Sequence, residues 1–543
     1  MSAQASGKTR LYLFDTTLRD GAQTAGIEFS LEDKISIARL LEELGVDYIE
    51  GGYPGANPVD TAFFDTKRTR RAKFTAFGMT KRAGRSAAND PGVQALLNSA
   101  AEATCFVAKT WDHQVAVALE ISLDDNLANL RETVAAAVAA GKEALIDCEH
   151  FFDGFKANPD YALTCVKTAL DAGARWVVLC DTNGGTMPSE IRDIVTQVLT
   201  VAPGSHLGIH AHDDTGQAVA NTLAAVEAGV CQIQGTLNGI GERCGNANLI
   251  TIIPTLVLKP AFADRFETGI DATRLTRLTQ ISRAFDDRLN RAPLRQSPYV
   301  GASAFATKAG IHASALLKDF SSYEHVPPES VGNERSIMVS QQAGKSNLVT
   351  ALARHGIVLA KEDGRLEKLL GVVKDRESRG YSYDGADASF AVLAHEVLGT
   401  LPEYFQVENY RASVERRHNA QGEEITVTEA VVKIRVAGEL LMSVAEGNGP
   451  VNALDLALRK DLGIYSSRIE DLELVDFKVR ILDGGTGAVT RVLVESRDGS
   501  GERWHTIGVS ANIIDASFEA LYESITYKLL KTEAAQRTTE QVA

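Results

Sequence analysis

No stretch of about 18 consecutive apolar residues occurs in the chain, so no membrane-spanning helix is expected. The first ten residues, MSAQASGKTR, lack the apolar core of a secretory leader, and the cytoplasm is the expected compartment. Cysteine is sparse: there are six, none in a CxxC pair. Their irregular spacing in a large chain argues against a disulfide framework and for reduced, mostly buried thiols. Positive charge is also short. Lys and Arg number 56 against 71 Asp and Glu, a net −15, which argues against nucleic acid or an anionic membrane as the main partner. It does not exclude a phosphate-bearing small molecule, which a local basic patch can hold.

What is present is a long chain of ordinary globular composition. Its 543 residues are too many for one domain, and two or three are expected. Eight short apolar runs begin at positions 11, 47, 73, 103, 143, 175, 206 and 231. Helix-compatible stretches such as LEDKISIARLLEELG (31–45) and LANLRETVAAAVAAG (127–141) lie between them, with apolar residues recurring every three or four positions. Eight βα units predict an α/β fold, a closed (β/α)8 TIM barrel over residues 9–285. Residues 286–404 lose this rhythm and read as small helical linker subdomains. Residues 405–531 read as an α+β domain. Alternating strands are expected at 425–438 and 489–499, and helices at 449–462 and 515–530. The polar tail, KTEAAQRTTEQVA, is expected to be disordered.

Polar residues gather where the barrel runs end, which is where such barrels place their active sites. Arg19 and Asp20 follow run 1, Glu50 closes run 2, Glu149 and His150 close run 5, and Asp181, Thr182 and Asn183 close run 6. His210 and His212 close run 7, and Glu242, Arg243 and Asn246 follow run 8. In a strand, positions i and i+2 share a face, so both imidazoles of His210-Ala211-His212 would enter the barrel mouth together. With Asp20 they make a three-ligand set for a divalent metal, and Asn246 offers a fourth oxygen. The plain alternative is two surface histidines at a strand end. Arg19 can stabilise negative charge developing on an oxygen, or it can be a simple ion-pair partner. Glu149 and Glu50 are candidates for proton transfer or for orienting water. For Glu50 the alternative is a structural partner for Arg19 or Arg243.

Three separated segments, DTTLRDGAQ (15–23), GIHAHDDTGQAVANTLAAVEAG (208–229) and GTLNGIGERCGNANL (235–249), resemble the DRE-type TIM-barrel metalloenzymes. That family holds the 2-isopropylmalate, homocitrate and citramalate synthases and 3-hydroxy-3-methylglutaryl-CoA lyase. The resemblance continues through FATKAGIHASALLKD (305–319), GNGPVNALDLAL (447–458) and NIIDASFEAL (512–521), covering about residues 9–531. EGGYPGANPVDTAFF (50–64), KTWDHQV (109–115) and DCEHFFDGFKANPDYAL (147–163) look most like its long, pyruvate-using members. Ala22 stands where many 2-isopropylmalate synthases carry Glu, and reads as a mark of that subgroup.

The resemblance implies condensation of acetyl-CoA with a 2-keto acid, pyruvate first and 2-ketoisovalerate as the alternative. It implies Mg²⁺ or Mn²⁺, with Zn²⁺ the remaining option. Arg19 and Thr182 would contact substrate, and Met79 and Val107 would limit its size. His312 and Tyr323 would come from the linker of the same or a partner subunit in a homodimer, with His312 and Glu149 in proton transfer. The C-terminal domain would bind isoleucine as feedback inhibitor. Gly447, Gly449 and Pro450 would open one helix towards a carboxylate, and Asp515 or Ser517 would cap another; the bland reading of these glycines is tight turns. Three rivals remain. A lyase would be expected to carry a cysteine-containing glycine loop where this chain reads GIGERCGN, and to lack the C-terminal domain. A biotin-dependent carboxyltransferase would want an MKM motif, which is missing. A non-catalytic amino-acid sensor would have no use for Arg19, Asp20, His210 and His212.

Overall fold

The computed structural model describes residues 7–542 apart from 290, 292, 308–311, 313, 314, 317, 338–344, 361, 419–421 and 483–487. The chain forms two compact units, residues 1–305 with 325–335, and residues 306–324 with 336–543. Among the described residues no helix is long and apolar enough to cross a membrane.

The first unit is built on a closed barrel of eight parallel strands. They are β1 (Tyr12–Asp15), β2 (Tyr48–Glu50), β3 (Lys73–Met79), β4 (Ala103–Lys109), β5 (Glu143–Glu149), β6 (Trp176–Asp181), β7 (Leu207–Ala211) and β8 (Gln232–Gly235). Closure comes from β1, which pairs with both β2 and β8. The expected eight runs are the eight strands. Alternation sets their two faces. Phe14, Tyr48, Cys105, Leu145, Trp176 and Val178 form a core inside the barrel. Leu13, Ile49, Phe74, Phe106, Ile146 and Val177 belong to the larger core shared with the surrounding helices. The helix Leu31–Leu44 shows how the sequence encodes that outer layer. Ser30 and Asp33 form a reciprocal capping box, Ile37, Ala38, Leu41 and Leu44 face the core, and Gly45 ends the helix at φ +98°. A cap of this kind is worth about 1 kcal/mol.

The second unit holds the helices Lys345–Arg354, Arg365–Ser378 and Asp387–Leu398 and two three-stranded antiparallel sheets. One sheet is β9 (Gln406–His418), β10 (Glu424–Val436) and β11 (Glu439–Gly447); the other is β12 (Glu473–Ile481), β13 (Thr490–Arg497) and β14 (Arg503–Ser510). The helices Pro450–Lys460 and Ile513–Val542 pack on them, burying Leu454, Leu458, Leu521 and Leu529. One expectation fails: the tail is not disordered but continues the last helix to Val542. Its Lys, Glu, Ala and Gln favour helix, and its first residues are tied down. Lys531 pairs with Asp498 (2.8 Å) and Glu502 (2.6 Å), and the Tyr404 hydroxyl donates to Glu533 (2.8 Å).

Candidate active site at the barrel mouth

The site starts with a reversal of the chain. β1 stops at Asp15, earlier than its apolar run suggests, because the buried Asp15 carboxylate accepts from the backbone N–H (2.9 Å) and hydroxyl (2.8 Å) of Thr17. Burial pushes Asp15 up to about 7. This turn aims Arg19 and Asp20 back over the strand ends. Beneath it, the buried ammonium of Lys34 donates to the carbonyls of Leu18 (3.0 Å) and Gly51 (2.8 Å) and pairs with Asp60. Lys34 therefore joins the loop carrying Arg19 to the strand carrying Glu50.

Asp20, His210 and His212 converge, all buried. His210 Nε2 lies 3.1 Å from Asp20 Oδ2 and 3.4 Å from His212 Nε2. The Asn246 amide closes the group, its Nδ2 2.8 Å from Asp20 Oδ2 and 3.1 Å from His210 Nε2. Asn246 arrives on the loop after β8, which bridges back to His212. Two glycines of GIGERCGN permit that path. A Cβ on Gly241 would sit 1.8 Å from Asn246 Oδ1, and Gly245 (φ +97°) would clash with the Gly239 carbonyl.

These residues fit a divalent cation. Gln234 Oε1 accepts from His210 Nδ1 (2.9 Å), which leaves the Nε2 lone pair for a ligand. Asp147 Oδ1 accepts from Gln234 Nε2 (3.1 Å) and so fixes which way that amide faces. Burial, reinforced by the neighbouring His210, lowers His212 to about 4, so its imidazole is neutral. Burial opposes charge on Asp20, but Arg19 and His210 outweigh it and hold the carboxylate ionised. Burial also disfavours a proton on His210, and the bond to Asp20 outweighs it; a cation at this point takes that proton's place. Asn246 Oδ1 is buried without a hydrogen-bond partner among the described residues, and half a turn of the amide would present it to the same point.

Arg19 lies across this cluster. Its Nε donates to Glu50 Oε2 (2.7 Å) and its guanidinium carbon stands 3.9 Å from the centre of the Phe77 ring. Nη1 is 3.5 Å from Asp20 and Nη2 is 3.9 Å from Asp147, too long for hydrogen bonds, so both remain able to donate to a ligand oxygen. Glu50 makes the contact with Arg19 that its structural alternative called for. It is wholly buried and held by Arg19 and Thr16 (2.7 Å). Glu149 reaches the mouth as expected, paired with Lys109 (2.5 Å). The Thr182 hydroxyl accepts from the His150 N–H (2.8 Å), and its carbonyl accepts from Arg243 (2.7 Å). Arg243 clamps Asp214 in bidentate fashion (2.8 and 2.9 Å), bracing the loops after β6, β7 and β8. Met79 and Val107 are register partners at the ends of β3 and β4, with Met79 41% exposed.

The other candidates lie in the second unit. His312 and Tyr323 stack with ring centroids 4.4 Å apart. Around His312, residues 308–311, 313, 314 and 317 of the FATKAGIHASALLKD stretch lie outside the described residues. Gly449 is the N-cap of the helix Pro450–Lys460 with Pro450 in its first turn, and Gly447 packs against the Ala453 backbone. The capping role expected of Asp515 or Ser517 is wrong. The helix begins at Ile513, and Asn512 Oδ1 accepts from the Ile514 N–H (2.9 Å). Two residues further in, Asp515 accepts from the Tyr410 hydroxyl (2.5 Å), and four residues in, Ser517 donates to the Ile513 carbonyl (2.6 Å).

Gln234, Asp147, Lys109 and Phe77 were missed by sequence reasoning. Strand parity could have found the last three, since Asp147 shares a face with Glu149, Lys109 with Val107 and Phe77 with Met79.

Residues 10–281 match the HMGL-like family, residues 299–378 the homocitrate synthase post-HMGL domain-like family and residues 384–529 the LeuA allosteric (dimerisation) domain. The chain is similar to the (R)-citramalate synthase of Synechocystis sp., 46% identical over 97% of each chain. It is similar to that of Streptomyces coelicolor, 47% identical over 98% of this chain and 99% of the relative. A 2-isopropylmalate synthase of Pseudoalteromonas atlantica is 31% identical over 94% of both.

Proposed function

Because the chain belongs to the family of the (R)-citramalate synthases, we propose that it condenses acetyl-CoA with pyruvate and water to give citramalate and CoA. The convergence of Asp20, His210 and His212 beside Arg19 carries the reading. A divalent cation, Mg²⁺ or Mn²⁺, held by those three ligands and Asn246 would supply Lewis-acid polarisation of the keto group. Arg19, with Nη1 and Nη2 free to donate, holds the oxyanion that forms as the acetyl methyl carbon, having lost a proton, bonds to the keto carbon. Glu149 and His312 serve the proton transfers. Glu149 is the group at the mouth, paired there with Lys109. Water then cleaves the thioester, releasing CoA. Thr182 lines the keto-acid side of the mouth.

The discriminating test is thiol release from acetyl-CoA with pyruvate, 2-ketoisovalerate or 2-ketoglutarate. Pyruvate is expected to give the highest kcat/KM, by at least about 10-fold over 2-ketoisovalerate, since one extra methylene alone is worth about 10- to 200-fold. Met79→Ala and Val107→Ala should narrow that gap. A higher kcat/KM for 2-ketoisovalerate would make the enzyme a 2-isopropylmalate synthase.

We further propose a homodimer whose C-terminal domain binds isoleucine and lowers activity. The segment 447–450 would meet its carboxylate, and Ser517 would hold the turn that presents Asp515. Asp515 itself lies on a cavity of about 700 Å³ with Phe405, Tyr410, Phe518 and Tyr522, a carboxylate for an ammonium among apolar rings. Isoleucine should raise the apparent KM or lower kcat, and substrate should reciprocally change isoleucine affinity where the effect is on binding. A chain cut near residue 400 is a poor test. The helix Asp387–Leu398 depends on later residues: Ser389 accepts from the Ile507 N–H (2.8 Å) and donates to Glu523. Titrating the full chain and Asp515→Asn with isoleucine avoids this. Equal binding by both would remove Asp515 from the site, and an inert full chain would end the regulatory reading.

A further inference from the structure

At the end of the barrel opposite the mouth lies a cleft that the proposed reaction does not use. Its walls are the last turns of the helix Leu31–Leu44, the turn at 67–71 leading into β3, and residues 273–277. The cleft encloses about 790 Å³, within the range of small-molecule sites. Of its 11 lining residues seven are Arg or Lys and two are Glu, on a chain whose net charge is −15.

Most of these charges have structural work. Arg68 donates to the carbonyls of Ala62 (2.9 Å) and Phe63 (3.0 Å), Arg274 donates to the Gly269 carbonyl (3.0 Å), Arg277 pairs with Glu43 (2.8 Å) and Lys67 with Glu102 (2.8 Å). Glu42 is spent on the backbone: one oxygen accepts from the N–H groups of Arg70 (2.6 Å), Arg71 (2.7 Å) and Ala72 (3.2 Å), pinning the turn. Arg39, Arg70 and Arg71 are left, and among the described residues their guanidinium groups have no acceptor. Arg39, Arg70 and Arg71 are exposed on the wall of one concave cleft, where their positive charges would attract an anion. Guanidinium forks match phosphate oxygens in bidentate fashion.

We propose that this cleft binds the polyphosphate group of a small molecule, a chain of two or three phosphates held by Arg39, Arg70 and Arg71. No aromatic side chain lines it among the described residues, so there is no platform for a base, and recognition rests on the phosphates. A nucleoside triphosphate and free tripolyphosphate both present that chemistry.

The test is calorimetric titration of the full chain with tripolyphosphate, ATP and poly-glutamate in magnesium-free buffer, repeated on the triple variant Arg39→Gln, Arg70→Gln, Arg71→Gln. Tripolyphosphate should bind the parent, and the triple variant should bind it at least about 100-fold more weakly. Single Arg70→Gln should give an intermediate loss. Equal affinity for ATP would mean that the phosphate chain alone is read, and tighter ATP binding would make a nucleotide the source; both support the site. Melting temperature and the KM for acetyl-CoA should not change, since these exposed side chains touch neither core nor mouth. Binding that survives the triple substitution, no binding by the parent, or tighter binding of poly-glutamate than of tripolyphosphate would overturn the proposal.

Discussion

His210→Ala is expected to lower kcat/KM for pyruvate by at least about 10³-fold, because Lewis-acid stabilisation worth several kcal/mol disappears with the cation. The substitution removes one of three converging ligand atoms and leaves Asp20 facing a void where His210 Nε2 stood 3.1 Å away. Calorimetric titration with Mn²⁺ separates loss of metal from loss of fold: the variant should melt as the parent does but bind Mn²⁺ far more weakly. Gln234→Leu supplies the graded comparison. It keeps every ligand but removes the acceptor that fixes the His210 tautomer, along with the donor to Asp147, so Mn²⁺ affinity should fall about 10- to 100-fold. Exhaustive chelation of the parent should abolish turnover, with Mg²⁺ or Mn²⁺ restoring it. Full activity in His210→Ala would refute the metal assignment.

The convergence of His210 and His212 was legible because their spacing is local. His210 and His212 share a face by strand parity, whatever the rest of the chain does. Asp20 was legible only through closure, since a carboxylate near position 20 meets histidines near 210 when β1 pairs with β8. Eight βα units imply that closure, and so the pairing could be expected from the sequence alone. Glu50 shows the limit. Parity places it in the barrel, but only three-dimensional distances distinguish a base from the partner of Arg19. Asp515 and Ser517 show another. A helix start was expected at Asp515 because Asp is a good cap, yet Asn512, an equally good cap two residues before the Ile514 N–H, begins the helix earlier. The tail was misread for a related reason. Composition marks it as polar, whereas its order depends on the acceptors Asp498 and Glu502, brought near by β13, β14 and the turn between them.

Arg19→Lys is expected to lower kcat by about 10²-fold, the cost of one oxyanion donor. The reason lies in how the guanidinium divides its donors. Nε is committed to Glu50 at 2.7 Å, and the Phe77 ring fixes the plane, so Nη1 and Nη2 point from a rigid mount. A lysine ammonium is a single point charge. It can neutralise Glu50 or reach the keto oxygen, but it cannot do both from one position. Burial alone would favour a neutral group here, yet Glu50, Asp20 and Asp147 keep Arg19 charged, and the same three carboxylates would face the lysine of the variant. A purely structural arginine would lose stability or metal affinity first, because Nη1 lies only 3.5 Å from the ligand Asp20. The three readouts therefore separate the roles. If Arg19 stabilises the oxyanion, kcat falls while Mn²⁺ affinity and melting temperature stay near the parent's. If kcat is unchanged, or falls only in step with Mn²⁺ affinity, Arg19 is an ion-pair partner and the oxyanion is held elsewhere.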